Sequence, residues 1–422
     1  MPEASDPAAV LDHVEPGADL IVPVANGEAV SLLDALEAHA DRLDGVRVHQ
    51  MHALHDRPSI RGELGDHLRH VSYFLSHVTR PAFRAGQCDL VPNHFSEVPS
   101  LLRTCTKASL VLAAAAPMDA HGYFSLGTNA DYVAPFIGRV PFFLEANDRM
   151  PRTFGRNQLH VSQVAGWVEV DRPLVEVPPP LPSAKDRAIA ALIAERIPDG
   201  ATLQVGIGAI PNALLAALDG HRDLGVHTEL LSDGVMDLVE AGVATGTRKE
   251  LNPHKIVTTF ALGTQRLYDF LHENAAVELW PVDYVNDPRV IAREPGFVSI
   301  NATLEVDFLG QCASETVAGE YYSSSGGQAD FARGAMYSTN GQGFIVLHST
   351  ARDGTVSRIR PRLSPGSAVT TLKNTVDKVV TEHGVAELRG RSVRQRTRNL
   401  IAVADPAFRD VLTDEATAMG YL

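Results

Sequence analysis

Residues 200–218 read GATLQVGIGAIPNALLAAL, and residues 17–36 read GADLIVPVANGEAVSLLDAL. Each stretch opens Gly-Ala-x-Leu, runs through a short apolar strand into a glycine-containing turn, and enters a helix ending Leu-x-Ala-Leu. A second strand with a Val-His pair follows each, GVRVHQM at 45–51 and GVHTEL at 225–230. Two copies of one β-loop-α-β unit, about 180 residues apart, predict two domains of the same architecture. Between them lies VEVPPPLP at 175–182, a proline run that continues neither a helix nor a central strand. The expected division is therefore 1–182 and 183–422.

Immediately after the prolines, Ser183 and Asp186 have the spacing of a helix-capping pair, and Ile189, Leu192, Ile193 and Ile197 follow as an amphipathic stripe. That stripe is expected to be core. SLVLAAAAP (109–117), VPFFLEAN (140–147), KIVTTFAL (255–262), AVELWPV (276–282), FVSINATLEV (297–306), GFIVLHS (343–349) and KVVTEHG (378–384) read as strands. Most are too uniformly apolar or β-branched to be half-exposed, which suits sheets covered on both faces. Asp287-Pro288 ahead of RVIARE marks a helix start. The fold class is α/β, two similar open domains with mainly parallel sheets.

Composition narrows the function. The chain has 422 residues, 45% hydrophobic and 21% charged, with a formal charge of −14. That balance argues against a nucleic-acid partner, because phosphate would be repelled. The longest strongly apolar run, Leu110–Met118, is far short of the ~20 residues of a membrane span. The acidic start MPEASDPAAV lacks the basic region of a secretory signal. Cys88, Cys105 and Cys312 form neither a metal knuckle nor an even disulfide set, and are expected to be buried thiols in a reducing, cytoplasmic setting.

In open α/β sheets ligands bind beyond the carboxyl ends of the strands, so the strand-end loops carry the candidates. Gly206-Ile207-Gly208 ends a strand and opens a helix, offering backbone N–H groups to an anion or oxyanion. It is equally a tight strand-to-helix turn. Glu229 ends GVHTE, as a nucleophile, an acid/base, or a solvated strand end; Asp233 and Gly234 read as turn residues after it. Ser323-Ser324-Ser325-Gly326-Gly327 is a small-residue loop, either a flexible turn or a backbone surface for a ligand. From Arg352 to Arg398 there are 11 Lys/Arg against 4 Asp/Glu, a solvated face or a handle for a phosphorylated ligand.

Together these loops resemble the acetyl-CoA hydrolase/transferase family of class I CoA-transferases, particularly the 4-hydroxybutyrate and short-chain acyl-CoA:acetate enzymes. The likeness is carried by LQVGIGAIPNALL, GVHTELLSDGVMDLVEAG, PVDYVNDPRVIA, GGQADFARGA and VVTEHGVAELRG, and in the first half by APMDAHGYFSLGTNADY (116–132) and LEANDRMPRTFG (144–155). The resemblance implies two CoA-transferase domains with the active site in the inter-domain cleft. It also implies Glu229 as the catalytic glutamate, with the Ile207 and Gly327 N–H groups as the oxyanion hole. Asn286 would contact substrate, and Gly206, Gly208, Gly326, Gln328 and Glu382 would lie on the CoA side. Glu382 is open to a second reading, as an answer to the arginines around it.

The implied reaction moves CoA between a short acyl-CoA (acetyl, butyryl or 4-hydroxybutyryl) and a free carboxylate, through covalent glutamyl intermediates. Coenzyme A and acyl-CoA are substrates, with no permanently bound cofactor and no metal. The implied assembly is a homodimer or dimer of dimers, with no membrane or nucleic-acid partner. Two other readings use the same residues: an acyl-CoA hydrolase, and a non-enzymatic acyl-CoA sensor. Many relatives have Ser-Gly-Val where this chain has SSS before its GGQ loop.

Overall fold

The computed structural model describes residues 4–422, which form two compact units. The first runs up to Pro178 and takes back Val257–Val285; the second comprises Pro179–Ile256 and Asn286–Leu422. The chain thus changes unit close to the proline run, but a division at 182/183 leaves out the returning segment. That segment is tied to the first unit by backbone pairing. Val277–Leu279 lies parallel to Phe154–Gly155, and the N–H groups of Ala130 and Asp131 donate to the Thr259 carbonyl at 2.9 and 3.0 Å.

The sheet of the first unit is entirely parallel. Its strands are β1 (Asp19–Val22), β2 (Val46–Met51), β3 (Leu68–Phe74), β4 (Asp89–Leu90), β5 (Ala108–Ala115), β6 (Phe142–Asn147) and β7 (Val164–Val170), in spatial order β7-β6-β5-β1-β2-β3-β4. Helix α1 (Val30–Ala38) follows β1 and buries Leu32, Leu33 and Leu36 against Leu20, Val22, Val46 and Val48.

The second unit repeats this wiring. Its strands are β8 (Thr202–Val205), β9 (Gly225–Leu231), β10 (Phe297–Ala302), β11 (Gln342–Val346), β12 (Lys378–Thr381) and β13 (Gly384–Glu387). They lie in the order β13-β12-β11-β10-β8-β9, all parallel except the β12-β13 hairpin. As β1 is flanked by its own β2 on one side and β5 on the other, β8 is flanked by β9 and β10. In both copies of the repeat the first strand sits where strand order reverses, the place at which open sheets open a crevice. Both first strands are buried throughout, their polar Asp19, Thr202 and Gln204 included.

The helices of the second unit are α2 (Ala184–Ala194), α3 (Ala209–Ala216), α4 (Asp233–Glu240), α5 (Gln328–Tyr337), α6 (Val393–Ala402) and α7 (Arg409–Ala418). Ser183 and Asp186 form a reciprocal capping box on α2, and Ile189 and Ile193 are buried on its inner face. Asp287 accepts from the Arg289 N–H and starts the short helix Pro288–Ile291. On the far side, α6 and α7 pack Leu400, Ile401 and Leu412 over Ile345 and Val379.

Several expectations are corrected. The stretch 297–306 is two strands, interrupted at Thr303-Leu304. Strand β9 continues two residues past Glu229 to Leu231. Asp233 and Gly234 begin α4 instead of forming a turn. All three cysteines are free, but Cys105 is exposed at the end of the helix Val98–Cys105, while Cys88 and Cys312 are buried. Among the described residues no helix is long and apolar enough to cross a membrane.

Candidate functional site

The loop after β8 is shaped by one conformational demand. Gly208 has φ +122° and ψ −177°, a backbone state that a side chain makes costly. It ends the strand abruptly and starts α3 at Ala209, with Pro211 in the first helical turn, where no internal N–H bond is needed. The Gly206 N–H donates to the Ile300 carbonyl at 3.1 Å, fixing the loop to β10. The side chain of Ile207 is 59% exposed, so packing within the chain does not explain the isoleucine.

On the other side of β8, Thr202 pairs with Gly225 and Leu203 with Val226. Carried forward in step, that register sets Val205 level with Thr228 and brings the Gly206 turn alongside Glu229. The Thr228 hydroxyl, donating to the Val205 carbonyl at 3.4 Å, holds the two strands together there.

Around Glu229 the geometry is tight. The Asn286 Nδ2 donates to Glu229 Oε2 at 2.7 Å, and the Gly327 N–H donates to the same carboxylate. A Cβ placed on Gly327 would stand 1.9 Å from Glu229 Oε2 and 2.3 Å from Asn286 Nδ2, so no residue but glycine fits without displacing both. Gly327 is itself the N-cap of α5, and Asp330 lies buried in the first turn of that helix. The preceding serines are packed, not loose: Ser323 and Ser324 are buried, and Ser325 donates to Glu315 at 3.4 Å. Gly326 supplies the turn with φ +55°.

Burial pushes the Glu229 carboxyl up to about 7; the Asp330 charge adds to the rise, and the Asn286 and Gly327 donors hold it back. The Asn286 Oδ1 is buried with no hydrogen-bond partner, a deficit of about 1–3 kcal/mol that a ligand donor would relieve. Reactivity that needs ionised Glu229 is therefore expected to rise about tenfold between about pH 6 and pH 8, with its midpoint near 7. Asn286→Ala removes a donor to the ionised form, so the midpoint should climb by about one pH unit. A pH series of kcat/KM on both proteins checks this; coincident profiles would refute it.

Glu382 and Gln328 stand apart from this group. Glu382 is held by Lys185 Nζ at 2.8 Å and by the Ser349 N–H and hydroxyl, each at 2.8 Å. Burial would raise its carboxyl, but these donors outweigh it and bring it down to about 2. Its direct partner is thus a lysine from the start of α2, not an arginine. The Gln328 Nε2 donates to the Thr371 hydroxyl at 3.1 Å.

Beside the Gly206–Gly208 loop opens a cleft of about 360 Å³ at the carboxyl ends of β10 and β11, reached by Ile207, Gly208, Thr303, His348 and Arg358. Asp186, on the helix read from sequence as core, also lines it and pairs with His348 at 2.7 Å. Asp330, Arg358 and the His348–Asp186 pair carry no local sequence signal of their own; Arg358 appears in sequence as one cation of a basic run.

Residues 4–177 match the acetyl-CoA hydrolase/transferase N-terminal domain, and residues 263–416 match the C-terminal domain of the same name. A succinyl-CoA:cyclohexane-1-carboxylate CoA transferase of Geobacter metallireducens is 46% identical over 97% of this chain and 94% of its own length. A 4-hydroxybutyrate coenzyme A transferase of Clostridium kluyveri is 43% identical, over 96% and 95%. The crystal structure of RipA from Yersinia pestis superposes with a TM-score of 0.95 at 38% identity, covering 99% of this chain and 98% of that one. The chain belongs to the acetyl-CoA hydrolase/transferase family, and these two relatives are named CoA-transferases.

Proposed function

We propose that this protein transfers CoA between a short-chain acyl-CoA and a free carboxylate, with Glu229 as the covalent carrier. The observation that carries the reading is a half-buried carboxylate, raised in basicity, packed so closely on a glycine that any side chain there would displace it. Glu382, by contrast, is held low by its lysine and serine partners. One raised to about 7 is ionised in good part at neutral pH and more nucleophilic than an ordinary glutamate.

Ionised Glu229 attacks the thioester carbonyl, and the oxyanion is met by the N–H groups of Ile207 and Gly327. In the resting state the Gly327 N–H is on the Glu229 carboxylate itself. As that oxygen becomes a bond to the acyl carbon its charge passes to the oxyanion, and the donor is free to follow it. Collapse expels CoA thiolate and leaves an acyl-glutamyl anhydride. The thiolate then attacks the Glu229 carbonyl, releasing the first acid and forming a glutamyl-CoA thioester. The acceptor carboxylate attacks that thioester, and the thiolate attacks the new anhydride at its acyl carbon. Acyl-CoA departs and the Glu229 carboxylate is restored. Asn286 keeps the nucleophile aimed through its 2.7 Å bond, and its unpartnered Oδ1 offers an acceptor to the substrate.

Intact-protein mass spectrometry after incubation with acetyl-CoA and no acceptor tests the scheme. A covalent CoA adduct, mapped to Glu229 and consumed on adding a carboxylic acid, is expected. Rapid CoA release without an adduct would replace this reading with hydrolysis, and neither adduct nor release across short acyl-CoAs would refute it.

A further inference from the structure

Three ionisable side chains line the cleft beside the Gly206–Gly208 loop: Asp186, His348 and Arg358. The first two are matched to each other at 2.7 Å, and Asp186 is further bound by Ser183. Arg358 is different. Among the described residues its guanidinium makes no hydrogen bond and no ion pair. The nearest acidic influence is Glu382, which acts on it only through space because Lys185 and Ser349 already occupy that carboxylate.

This is not a loose surface arginine. Its backbone is clamped on both sides, the N–H donating to the Ser349 carbonyl at 2.9 Å and the carbonyl accepting from the Val306 N–H at 2.9 Å. The side chain therefore leaves from a fixed point between the strand-end loops of β10 and β11. It is half-buried, and burial lowers its basicity. A guanidinium removed from water with no partner is costly, and is explained most simply by an anion that arrives with the ligand.

The shape of the cleft says which anion. Its floor is apolar, from Ile210, Pro211, Ala302, Leu304, Val346 and Leu347. At about 360 Å³ it has room for about a dozen waters, far more than an acetyl or butyryl group needs. An uncharged arm ending in a charged group fits such a trough. The chain as a whole carries −14 and repels anions, so a local unmatched fork donor matters for one that binds. A guanidinium also suits the paired oxygens of a phosphate.

We infer that Arg358 binds a phosphate of the acyl-CoA donor, whose pantetheine arm lies along the apolar floor toward Ile207 and Gly208. The inference rests on the CoA-transferase reading above and adds to it the residue that recognises the nucleotide end. A second carboxylate on a dicarboxylyl donor is the other source of the same anionic chemistry.

Calorimetric titration of the full-length protein with CoA and with pantetheine, for wild type and Arg358→Gln, separates the possibilities. The variant should bind CoA about 10- to 100-fold more weakly while its pantetheine affinity is unchanged; the second titration also reports that the cleft is intact. Equal CoA affinity in the two proteins, or equal weakening toward CoA and pantetheine, would overturn the assignment. In steady-state transfer, the KM for acetyl-CoA should rise more than kcat falls. A defect confined to succinyl-CoA would move the contact to the acyl carboxylate and overturn the phosphate assignment. If the wild type itself binds no CoA, the transferase reading fails too; if it binds and the variant matches it, this inference alone fails.

Discussion

Glu229→Gln is expected to abolish transfer and at the same time to make the protein more stable at alkaline pH. Glutamine keeps the length of the side chain and an oxygen for the Asn286 and Gly327 donors, so the fold has no reason to change. What it lacks is a carboxylate that can form an anhydride. Loss of a covalent nucleophile should lower kcat by at least about 10,000-fold, and no CoA adduct should appear. The stability change follows from the sign of the shift. Glu229 titrates at about 7 folded against 4.5 for an ordinary glutamate. Between those values the folded state holds a proton that the unfolded chain has lost. Stability therefore falls as pH rises from about 4.5 to about 7 and stays down above that. The ionised group costs up to about 3 kcal/mol at about pH 8, less whatever solvent reaches it. Thermal melts at about pH 5 and pH 8 should show the variant's advantage only at the higher pH, and a variant that melts below wild type at pH 8 would contradict this account.

Gly327→Ala is the second large effect, and it separates contact from conformation. Gly327 has φ −96° and ψ 5°, angles that alanine adopts readily, so no backbone strain follows from the change. The whole effect arises from a methyl group at 1.9 Å from Glu229 Oε2 and 2.3 Å from Asn286 Nδ2. Either the carboxylate or the head of α5 must move, and the Gly327 N–H loses its line to the reacting centre. A fall in kcat of about 100- to 1,000-fold is expected, the size associated with losing one oxyanion donor, with circular dichroism unchanged. Wild-type kcat would remove Gly327 from the reacting centre.

Much of the architecture was legible before any coordinates. The repeat at 17–36 and 200–218 reports a parallel β-α-β unit because strand, turn and helix each leave a local periodic signature. The Ser183–Asp186 box and the Asp287 cap were readable for the same reason, since a helix start is decided within four residues. Where the signal was local but ambiguous, packing chose. Asp233-Gly234 has turn composition, yet it starts α4, where a Cβ on Gly234 would press on Leu215 Cδ1 at 2.8 Å. The small side chain there serves helix packing.

Side-chain company is another matter. In sequence, Glu229 is a carboxylate in an apolar strand and Gly327 a glycine among serines, about a hundred residues apart. That they touch, that Asn286 donates to the same carboxylate, and that burial lifts it to about 7 depend on a strand and two loops from distant parts of the chain meeting at one point. Glu382 and Arg358 make the same case in opposite directions. Both lie in a basic run, but one is neutralised by Lys185 from a distant helix, while the other is left facing a cleft with no partner. Hydrophobic period and capping are properties of neighbours along the chain, so the sequence by itself determined the class of fold and its duplicated plan. Solvation and charge pairing are properties of neighbours in space, so the tertiary structure alone decided which carboxylate is raised by burial, which is held down by its partners, and which cation is left without one.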